Sequence, residues 1–331
     1  MILHIASLST KHIMFPFVEF TNKNFEENNH HFLFCSNKSE QVLYTNATIK
    51  NVFHDNEYFI SNMQNAEKII LHGIWYDELC EMLLLDPSFL KKTYWVMWGG
   101  DFYFPEKQSF LKKQVIKKMG HLITYIKGDY ELVKESYSVT ATQYKCFMYP
   151  SNLYKEYDLK SKKCKTINIQ VGNSADYTNN HLEIFEKLKK YKNEDINIFV
   201  PLSYGNQEYA KDVIKKGNEI FKNKFTALTH LMPLEKYIEF LGAIDIAIFA
   251  HKRQQTMGNA STLLGLGKKV YMRGDTTSFH FFSDIGVKVF DIDNIELKAL
   301  SNDEKNKNNH NIREYFSKRN YLNQLKKIFE D

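Results

Sequence analysis

The sequence is poor in cysteine and proline, and it contains no long apolar run. Its 331 residues include four cysteines and six prolines. Cys35, Cys80, Cys146 and Cys164 are scattered without C-x-x-C spacing, which indicates neither a zinc site nor a disulfide framework and favours a reducing cytoplasm. No apolar stretch approaches the ~20 residues needed to cross a bilayer, so any membrane contact is expected to be peripheral. The opening residues, 1–6, suit a buried strand better than a signal peptide.

The chain also lacks a strong excess of either positive or negative charge. There are 44 Lys and Arg residues against 39 Asp and Glu residues, a mild excess that suits an anionic ligand or an anionic membrane surface. The chain has no Arg-rich stripe of the kind that reads nucleic acid, and nucleic acid is not an expected partner. We interpret the Asp, Glu and His residues as forming no metal-ligand set, and the H-E-x-x-H motif is absent. We therefore expect a reaction that needs neither a metal nor a cofactor.

The chain does contain ample core material, with 43% hydrophobic and 15% aromatic residues. At roughly 100–200 residues per domain, its length predicts two domains. Short apolar runs alternate with helical patterns, which predicts an α/β fold of parallel sheets covered by helices. Predicted strands lie near residues 1–6, 31–35, 67–72, 92–98, 121–126, 166–171, 195–200, 225–230, 244–249, 268–272 and 287–290. Predicted helices of the second half lie near 180–192, 207–222, 234–242 and 259–266.

The predicted domain limits follow from where this alternation stops and restarts. A first doubly wound, Rossmann-like domain covers 1–153, and a charged stretch at 154–165 is interpreted as a linker. A second Rossmann-like domain covers 166–310. A final helix is expected over 311–331, where it could pack back on the first domain, and 305–309 is predicted to be a solvated loop. In such sheets ligands bind beyond the carboxyl ends of the strands.

Two strand ends of the second domain carry groups suited to phosphate. Gly172, Asn173 and Ser174 lie between a strand and a helix, where free N–H groups and the helix dipole attract anions. An ordinary helix-capping loop, with Asp176 or Thr178 as the cap, explains the same residues equally well. The next candidates follow another apolar strand, and Arg253 offers a guanidinium fork to phosphate unless its role is structural. Its neighbours Gln254, Gln255, Gly258 and Asn259 complete this set.

Two strand ends of the first domain carry candidate bases. Asp101 follows an apolar strand and two glycines, Gly99 and Gly100, which would let an acceptor approach the backbone. A turn-capping role for Asp101 is equally open. His72, followed by Gly73, is the second candidate, although a single histidine at a strand end is more often structural.

A basic stretch at 110–119 combines lysines with an apolar set at helical spacing. Lys112, Lys113, Lys117 and Lys118 would suit binding to an anionic lipid surface. A surface helix with one buried face explains the same pattern.

These motifs together resemble glycosyltransferase family 56, the bacterial 4-acetamido-4,6-dideoxygalactose transferases that build enterobacterial common antigen. The similarity is densest at W-x-x-W-G-x-D (95–101), V-G-N-S-x-D-x-S/T-N-x-H (171–181), V-P-x-x-Y (200–204) and from 234 through R-Q-Q to 258. After R-Q-Q the family tends to carry Gly-Ile-Gly-Thr, where this chain has Thr256, Met257, Gly258 and Asn259.

The resemblance implies a GT-B fold, in which two Rossmann-like domains face a central cleft. It implies an inverting, metal-independent transfer of a deoxyamino sugar from a nucleoside diphosphate, with dTDP expected, to an undecaprenyl-linked saccharide at the cytoplasmic face of the inner membrane. The first domain would bind the acceptor and the second the donor, with residues 172–174 and 253–255 near the diphosphate. Tyr204 and Met232 would contact the base or sugar, and Asp101, then His72, would serve as general base.

Two other functions remain open from the sequence. A nucleotide-sugar epimerase or hydrolase with the same architecture would act on the donor without an acceptor. A non-catalytic partner that binds sugar nucleotides within an assembly complex would show binding without turnover.

Overall fold

The protein is described from a computed structural model, in which residues 1–37, 44–157, 159 and 165–330 are described. Cys164 and much of the predicted linker, residues 158 and 160–164, lie outside these ranges. The chain forms two compact units. The first comprises Met1–Leu153 and Lys318–Asp331, and the second comprises Tyr154–Ser317.

The first unit contains a seven-stranded parallel sheet in the order β3-β2-β1-β4-β5-β6-β7. Its strands are β1 (Ile2–Ser7), β2 (His30–Ser36), β3 (Ala47–Asn51), β4 (Lys68–His72), β5 (Thr93–Val96), β6 (His121–Ile123) and β7 (Thr142–Tyr144). Its helices are α1 (Lys11–Asn24), α2 (Asn56–Asn65), α3 (Asp77–Leu85), α4 (Pro87–Lys91), α5 (Phe110–Lys117) and α6 (Lys127–Tyr137). Every residue of β1 and β5 is buried, as expected for a parallel sheet with both faces covered.

The second unit contains a six-stranded parallel sheet in the order β10-β9-β8-β11-β12-β13. Its strands are β8 (Ile167–Val171), β9 (Ile196–Pro201), β10 (Phe225–Leu228), β11 (Ile246–Phe249), β12 (Lys269–Met272) and β13 (Phe290–Asp291). Its helices are α7 (His181–Leu188), α8 (Gln207–Phe221), α9 (Leu234–Ala243), α10 (Met257–Gly265), α11 (Thr277–Asp284) and α12 (Asn302–Tyr315). The predicted α/β class with parallel sheets is confirmed.

The last helix, α13 (Lys318–Phe329), belongs to the first unit. Tyr321 is fully buried there, and its hydroxyl donates to the Met148 carbonyl at 2.6 Å. The Phe329 ring packs edge-on against His30, with 4.7 Å between ring centroids. These contacts hold α13 against the first unit.

The prediction of a loop at 305–309 was wrong, because these residues lie in α12. Ser301 and Glu304 form a capping box that starts the helix despite its polar composition. Asn308 is fully buried, where its side chain accepts from the Lys288 N–H at 2.7 Å and donates to the Lys288 carbonyl at 3.0 Å. The single helix predicted over 311–331 is instead the end of α12 followed by α13.

Both sheets reverse their strand order once, and this determines where loops meet. The reversal lies between β1 and β4 in the first sheet and between β8 and β11 in the second. Loops that leave such neighbouring strands run to opposite sides and open a crevice at their carboxyl ends, where α/β proteins bind ligands. Most of the predicted site residues directly follow β4, β5, β8 or β11.

Candidate active site

The loops after β8 and β11 begin side by side in the second unit. Ile246 pairs with Ile169 across the two strands, and the Gly172 N–H donates to the Ile248 carbonyl at 3.0 Å. The two candidate phosphate segments predicted from the sequence therefore occupy one place, at the strand-order reversal of this sheet.

Position 172 requires glycine, because its backbone conformation and its close neighbours both exclude a side chain. Its φ of +67° lies in the left-handed region. A Cβ atom there would stand 2.4 Å from His181 Nε2 and 2.7 Å from Asn179 Oδ1. A side chain would therefore meet both a backbone penalty and a collision with two buried groups.

The polar groups of Asn173 and Ser174 are engaged within the protein. The Asn173 N–H donates to Asn179 Oδ1 at 2.9 Å, and its Nδ2 donates to the Tyr204 hydroxyl at 3.0 Å. Its Oδ1 accepts from Thr256 Oγ1 at 3.1 Å. Ser174 Oγ accepts from Asn179 Nδ2 at 3.2 Å. The turn thus holds the surrounding loops together, which is a different task from the direct phosphate contact expected of its N–H and side-chain donors.

The loop after β11 is tied to this turn by two further contacts. The His251 Nε2 atom lies 3.0 Å from Asn179 Oδ1, and burial lowers the pKa of His251 to about 3, which keeps the ring neutral. Gln255 Oε1 lies 2.9 Å from Thr178 Oγ1. The two loops therefore form one interlocked assembly.

Thr256 occupies a backbone conformation that β-branched residues rarely adopt. Its φ is +65°, at the position where the resembled family tends to carry glycine. The hydrogen bond from its hydroxyl to Asn173 helps to hold this conformation just before α10 begins at Met257.

The region after β11 also contains an arginine and the N-terminus of a helix. Arg253 is half-buried. Burial alone would raise the pKa of Asp176, but two hydrogen bonds from Thr178 and then the charge of Arg253 hold this pKa below its usual value. At the start of α10 the N–H groups of Gly258 and Asn259 have no acceptor within the helix, because first-turn amides lack an i−4 carbonyl. Gln254 is half-buried in the same loop.

The two predicted base or sugar contacts lie at the next strand ends. Tyr204 follows β9, remains 52% exposed and is joined to the turn through Asn173. Met232 follows β10 and is half-buried in a loop whose neighbour Leu231 is 77% exposed.

Several residues of this assembly were not singled out from the sequence. Asn179 bonds to four partners in both loops, and His181 contacts the Tyr209 hydroxyl at 3.2 Å. His251 completes the set, and Thr256 was noted in the sequence only as a departure from the family pattern. Asn179 and His181 are the last two fixed positions of the motif at 171–181, and His251 lies two residues after a buried strand, so both signals were present in the sequence.

In the first unit, Asp101 is a buried anchor for the loop after β5. Its Oδ2 accepts from Trp95 Nε1 at 2.8 Å and from the Ile74 N–H at 3.2 Å, and its Oδ1 accepts from the Trp98 N–H at 3.0 Å. The residue is fully buried, and burial raises its pKa although these hydrogen bonds oppose the shift. This geometry favours a structural role over the predicted general-base role, because both oxygens are already occupied.

His72 likewise has both ring nitrogens engaged. Its Nδ1 lies 2.9 Å from the Tyr149 hydroxyl and its Nε2 lies 3.1 Å from His4 Nδ1. The ring is fully buried, which lowers its pKa to about 3. Its position in this network also favours a structural role over proton abstraction from a substrate.

The predicted acceptor-side glycines surround Trp75. Gly73 has a φ of +82°, and a Cβ there would stand 2.4 Å from the Trp75 indole nitrogen. Gly99 also has a positive φ, +83°, and Gly100 is exposed with Trp75 at ordinary contact distance, 3.7 Å from its Cβ position. The glycines thus give the indole its place at the ends of β4 and β5.

The four predicted membrane-facing lysines lie on and beside α5. Lys117 and Lys118 are exposed, whereas Lys112 and Lys113 are half-buried. Phe110, at the start of the same helix, is 73% exposed. The opposite face carries Val115 and Ile116 into the core, so the amphipathic pattern predicted from the sequence is present.

The sequence profile described as "4-alpha-L-fucosyltransferase glycosyl transferase group 56" matches residues 7–327. The chain belongs to this family. It is therefore a glycosyltransferase, as the motif resemblance implied.

Solved structures support the fold expected of a group 56 glycosyltransferase. A Rickettsia africae glycosyltransferase matches with 12% identity over 99% of this chain and 97% of that chain, with a TM-score of 0.68. The UDP-forming alpha,alpha-trehalose-phosphate synthase of Burkholderia xenovorans matches with 8% identity over 99% and 98%, with a TM-score of 0.70. Anabaena HepE, solved with UDP and glucose, matches with 10% identity over 99% and 98%, with a TM-score of 0.67. The predicted GT-B fold is confirmed.

Two observations concern metals and membranes in this transferase. Among the described residues, no group of three or more His, Cys, Asp or Glu side chains is placed to hold a metal ion. The sequence contains a D-x-D spacing at Asp291 to Asp293, where the Asp291 side chain caps a turn and Asp293 pairs with Lys187 at 2.7 Å. Among the described helices, none has the length and apolar character needed to span a bilayer.

Proposed function

We propose that this group 56 enzyme transfers a deoxyamino sugar of the 4-acetamido-4,6-dideoxygalactose type from dTDP to an undecaprenyl-linked saccharide, in the synthesis of a bacterial surface polysaccharide. The transfer inverts the anomeric carbon and needs no metal. The observation that carries the proposal is the interlocked assembly after β8 and β11, with Arg253 and the start of α10 beside it.

This assembly suits a departing nucleoside diphosphate. In a single displacement, an acceptor hydroxyl oxygen attacks the anomeric carbon while the bond to the β-phosphate oxygen breaks, and the hydroxyl proton goes to a base. Charge then develops on the diphosphate. A guanidinium fork and helix N-terminal amides stabilise such charge when they are fixed in advance, and the loop contacts provide that fixation.

Donor binding can be tested by titration calorimetry with dTDP and UDP. Arg253→Ala is expected to weaken dTDP binding at least about tenfold, because charge-assisted hydrogen bonds contribute ~1.5–3 kcal/mol. Arg313→Ala removes an exposed arginine from α12 and is the matched control. Unchanged affinity in Arg253→Ala would remove this residue from the proposal, and tighter binding of UDP than dTDP would contradict the proposed donor.

Measurements of turnover test two further parts of the proposal, namely inversion of the anomeric carbon and independence of metal. Proton NMR of the product reports whether the anomeric configuration is opposite to that of the donor. Full activity in excess EDTA is expected for a reaction in which Arg253 and helix amides carry the charge. Loss of turnover on chelation, restored by a divalent cation, would contradict metal independence.

The lipid-linked acceptor leads us to include a peripheral contact with the anionic inner-membrane surface. The supporting feature is α5, where Phe110 at the start of the helix and Lys117 and Lys118 at its end are all exposed. Replacing both lysines by glutamate should reduce flotation with vesicles that contain phosphatidylglycerol. The same double exchange at Lys298 and Lys307, exposed lysines of the second unit, is the control. Equal flotation of both variants would contradict the contact.

A further inference from the structure

Two tryptophans stand together at the carboxyl ends of β4 and β5 in the first unit. The indoles of Trp75 and Trp98 pack edge to face, with 5.8 Å between ring centroids. Trp75 is 36% exposed, whereas Trp95, the third tryptophan of the chain, is fully buried. A large aromatic surface is thus left open beside Gly73 and Gly100.

The polar atoms of both indoles point into the protein. Trp75 Nε1 donates to the His72 carbonyl at 3.0 Å, and Trp98 Nε1 donates to the Tyr149 hydroxyl at 2.9 Å. Indole has a single hydrogen-bond donor, so the exposed part of Trp75 presents only carbon atoms. An aromatic carbon surface binds by stacking and shape.

A buried chain of hydrogen-bonded polar side chains fixes the position of the Trp98 indole. From Trp98 it runs through Tyr149, His72 and His4 to His30, with contacts of 2.9, 2.9, 3.1 and 2.9 Å. The indole can only donate, so the Tyr149 hydrogen finds an acceptor when it points to His72 Nδ1. His72 then carries its hydrogen on Nε2 and donates to His4, and His4 donates to His30 in the same way. Each hydrogen bond fixes the tautomer of the next ring, so the groups of the chain all donate in the same direction, from Trp98 towards His30.

Burial keeps this chain neutral. It lowers the pKa of His72 to about 3 and of His30 to about 4, and the pKa of His4 falls well below its usual value. A set of fully engaged, neutral groups fixes geometry and adds no charge to the surface in front of it. The chain therefore acts as a positioning device for the indole pair.

We propose that the exposed face of Trp75, backed by Trp98, stacks against a pyranose ring of the acceptor saccharide. This inference rests on the proposed function, which requires a saccharide acceptor. A sugar ring has a flat C–H face that matches an aromatic ring held in a fixed position, and aromatic side chains commonly line small-molecule sites. A flexible prenyl chain would gain little from one oriented ring, and the glycines at 73 and 100 leave the face open to a rigid partner.

Binding can be measured without turnover. Saturation-transfer NMR with a panel of methyl pyranosides, including N-acetylhexosaminides, hexuronides and 6-deoxyhexosides, is expected to show ring protons of at least one sugar in contact with the wild-type protein. Trp75→Ala should abolish this signal and Trp75→Phe should retain part of it. Leu85→Ala, which removes an exposed apolar side chain elsewhere on the unit, should leave it unchanged.

The outcomes separate this inference from the transferase proposal, because they do not depend on finding the donor. Equal sugar signals in wild type and Trp75→Ala, or no signal from any sugar in the panel, would overturn the inference. Quenching of wild-type tryptophan fluorescence by citronellyl phosphate but by none of the sugars would also overturn it, by assigning the indole to a prenyl chain.

Kinetics and the positioning chain give a second set of measurements. Once the acceptor is in hand, Trp75→Ala should raise its KM about tenfold and leave the donor KM within about twofold. Tyr149→Phe removes the hydroxyl between Trp98 and His72 and should weaken sugar binding while dTDP affinity stays unchanged. A loss of dTDP affinity to the same extent would indicate general unfolding and would contradict the positioning role.

Discussion

At the scale of single residues, burial decides which polar side chains react and which hold structure. Asp101 and His72 have the chemistry of a base, yet each is fully buried with its acceptor atoms engaged. Arg253 is half-buried at a strand end and keeps its charge near the surface. Residue type and position after a strand located all three, but the sequence carries no direct record of burial, which depends on side chains far away in the chain.

The histidine chain has a consequence for stability at low pH. An unfolded histidine takes up a proton near pH 6.5, whereas His72 in the folded protein stays neutral down to about pH 3. The unfolded state therefore binds more protons as the pH falls from 7 to 5, and stability decreases in that direction. For His72 alone the free energy of unfolding should fall by about 2 kcal/mol.

Urea unfolding followed by tryptophan fluorescence at pH 7 and pH 5 measures this change in the first unit. Nitrogen-15 NMR of the histidine rings is the direct check, with His4, His30 and His72 expected as neutral Nε2–H tautomers at pH 5. Titration of their ring nitrogens near pH 6.5 would contradict the assignment.

Gly172 provides a second prediction at this scale. Gly172→Ala places a Cβ 2.4 Å from His181 Nε2 at a φ of +67°. The left-handed conformation and the displaced neighbours together should lower the free energy of unfolding of the second unit by at least about 2 kcal/mol. Gly100→Ala, where the nearest atom is at 3.7 Å, is the control. Equal stability of both variants by urea titration would show that the turn can rearrange.

At the scale of elements, the candidate site residues lie in loops that follow neighbouring parallel strands, and the sequence predicted the strands that precede these loops. The strands β1 and β8 have clear apolar patterns and were predicted to within a residue or so of their ends. The edge strand β3 is half-buried along its whole length and β7 has only three residues, so neither has a clear apolar pattern, and both were missed. Contacts between loops, such as His251 with Asn179 across 72 residues, have no local signal at all.

The loop after β5 gives a prediction that separates two roles of Asp101. Asp101→Asn replaces one acceptor oxygen by a donor, so at least one of the N–H groups of Trp95, Ile74 and Trp98 loses its partner. Each buried group without a partner costs ~1–3 kcal/mol. We expect activity and the free energy of unfolding to fall together. Lost turnover at unchanged stability would instead support Asp101 as the general base.

At the scale of the whole molecule, each unit has its own sheet and its own hydrophobic core. Alternating apolar and helical patterns predicted two α/β units, because most of the central strands have a local apolar pattern. The sequence predicted only that a final helix could pack back on the first domain. The position of α13 depends on the packing of Tyr321 and Phe329 against residues that are distant in the chain.

The division into units offers a test of where the nucleotide binds. All three tryptophans, Trp75, Trp95 and Trp98, lie in the first unit, so fluorescence reports its unfolding, whereas circular dichroism reports both units. A ligand that binds only the folded state raises the melting temperature of the unit that holds it, by an amount that grows with its concentration. If dTDP binds after β8 and β11, it should raise a transition seen by circular dichroism. A shift confined to the tryptophan signal would place the nucleotide in the first unit and contradict the assignment, and Arg253→Ala should reduce the shift that dTDP produces in wild type.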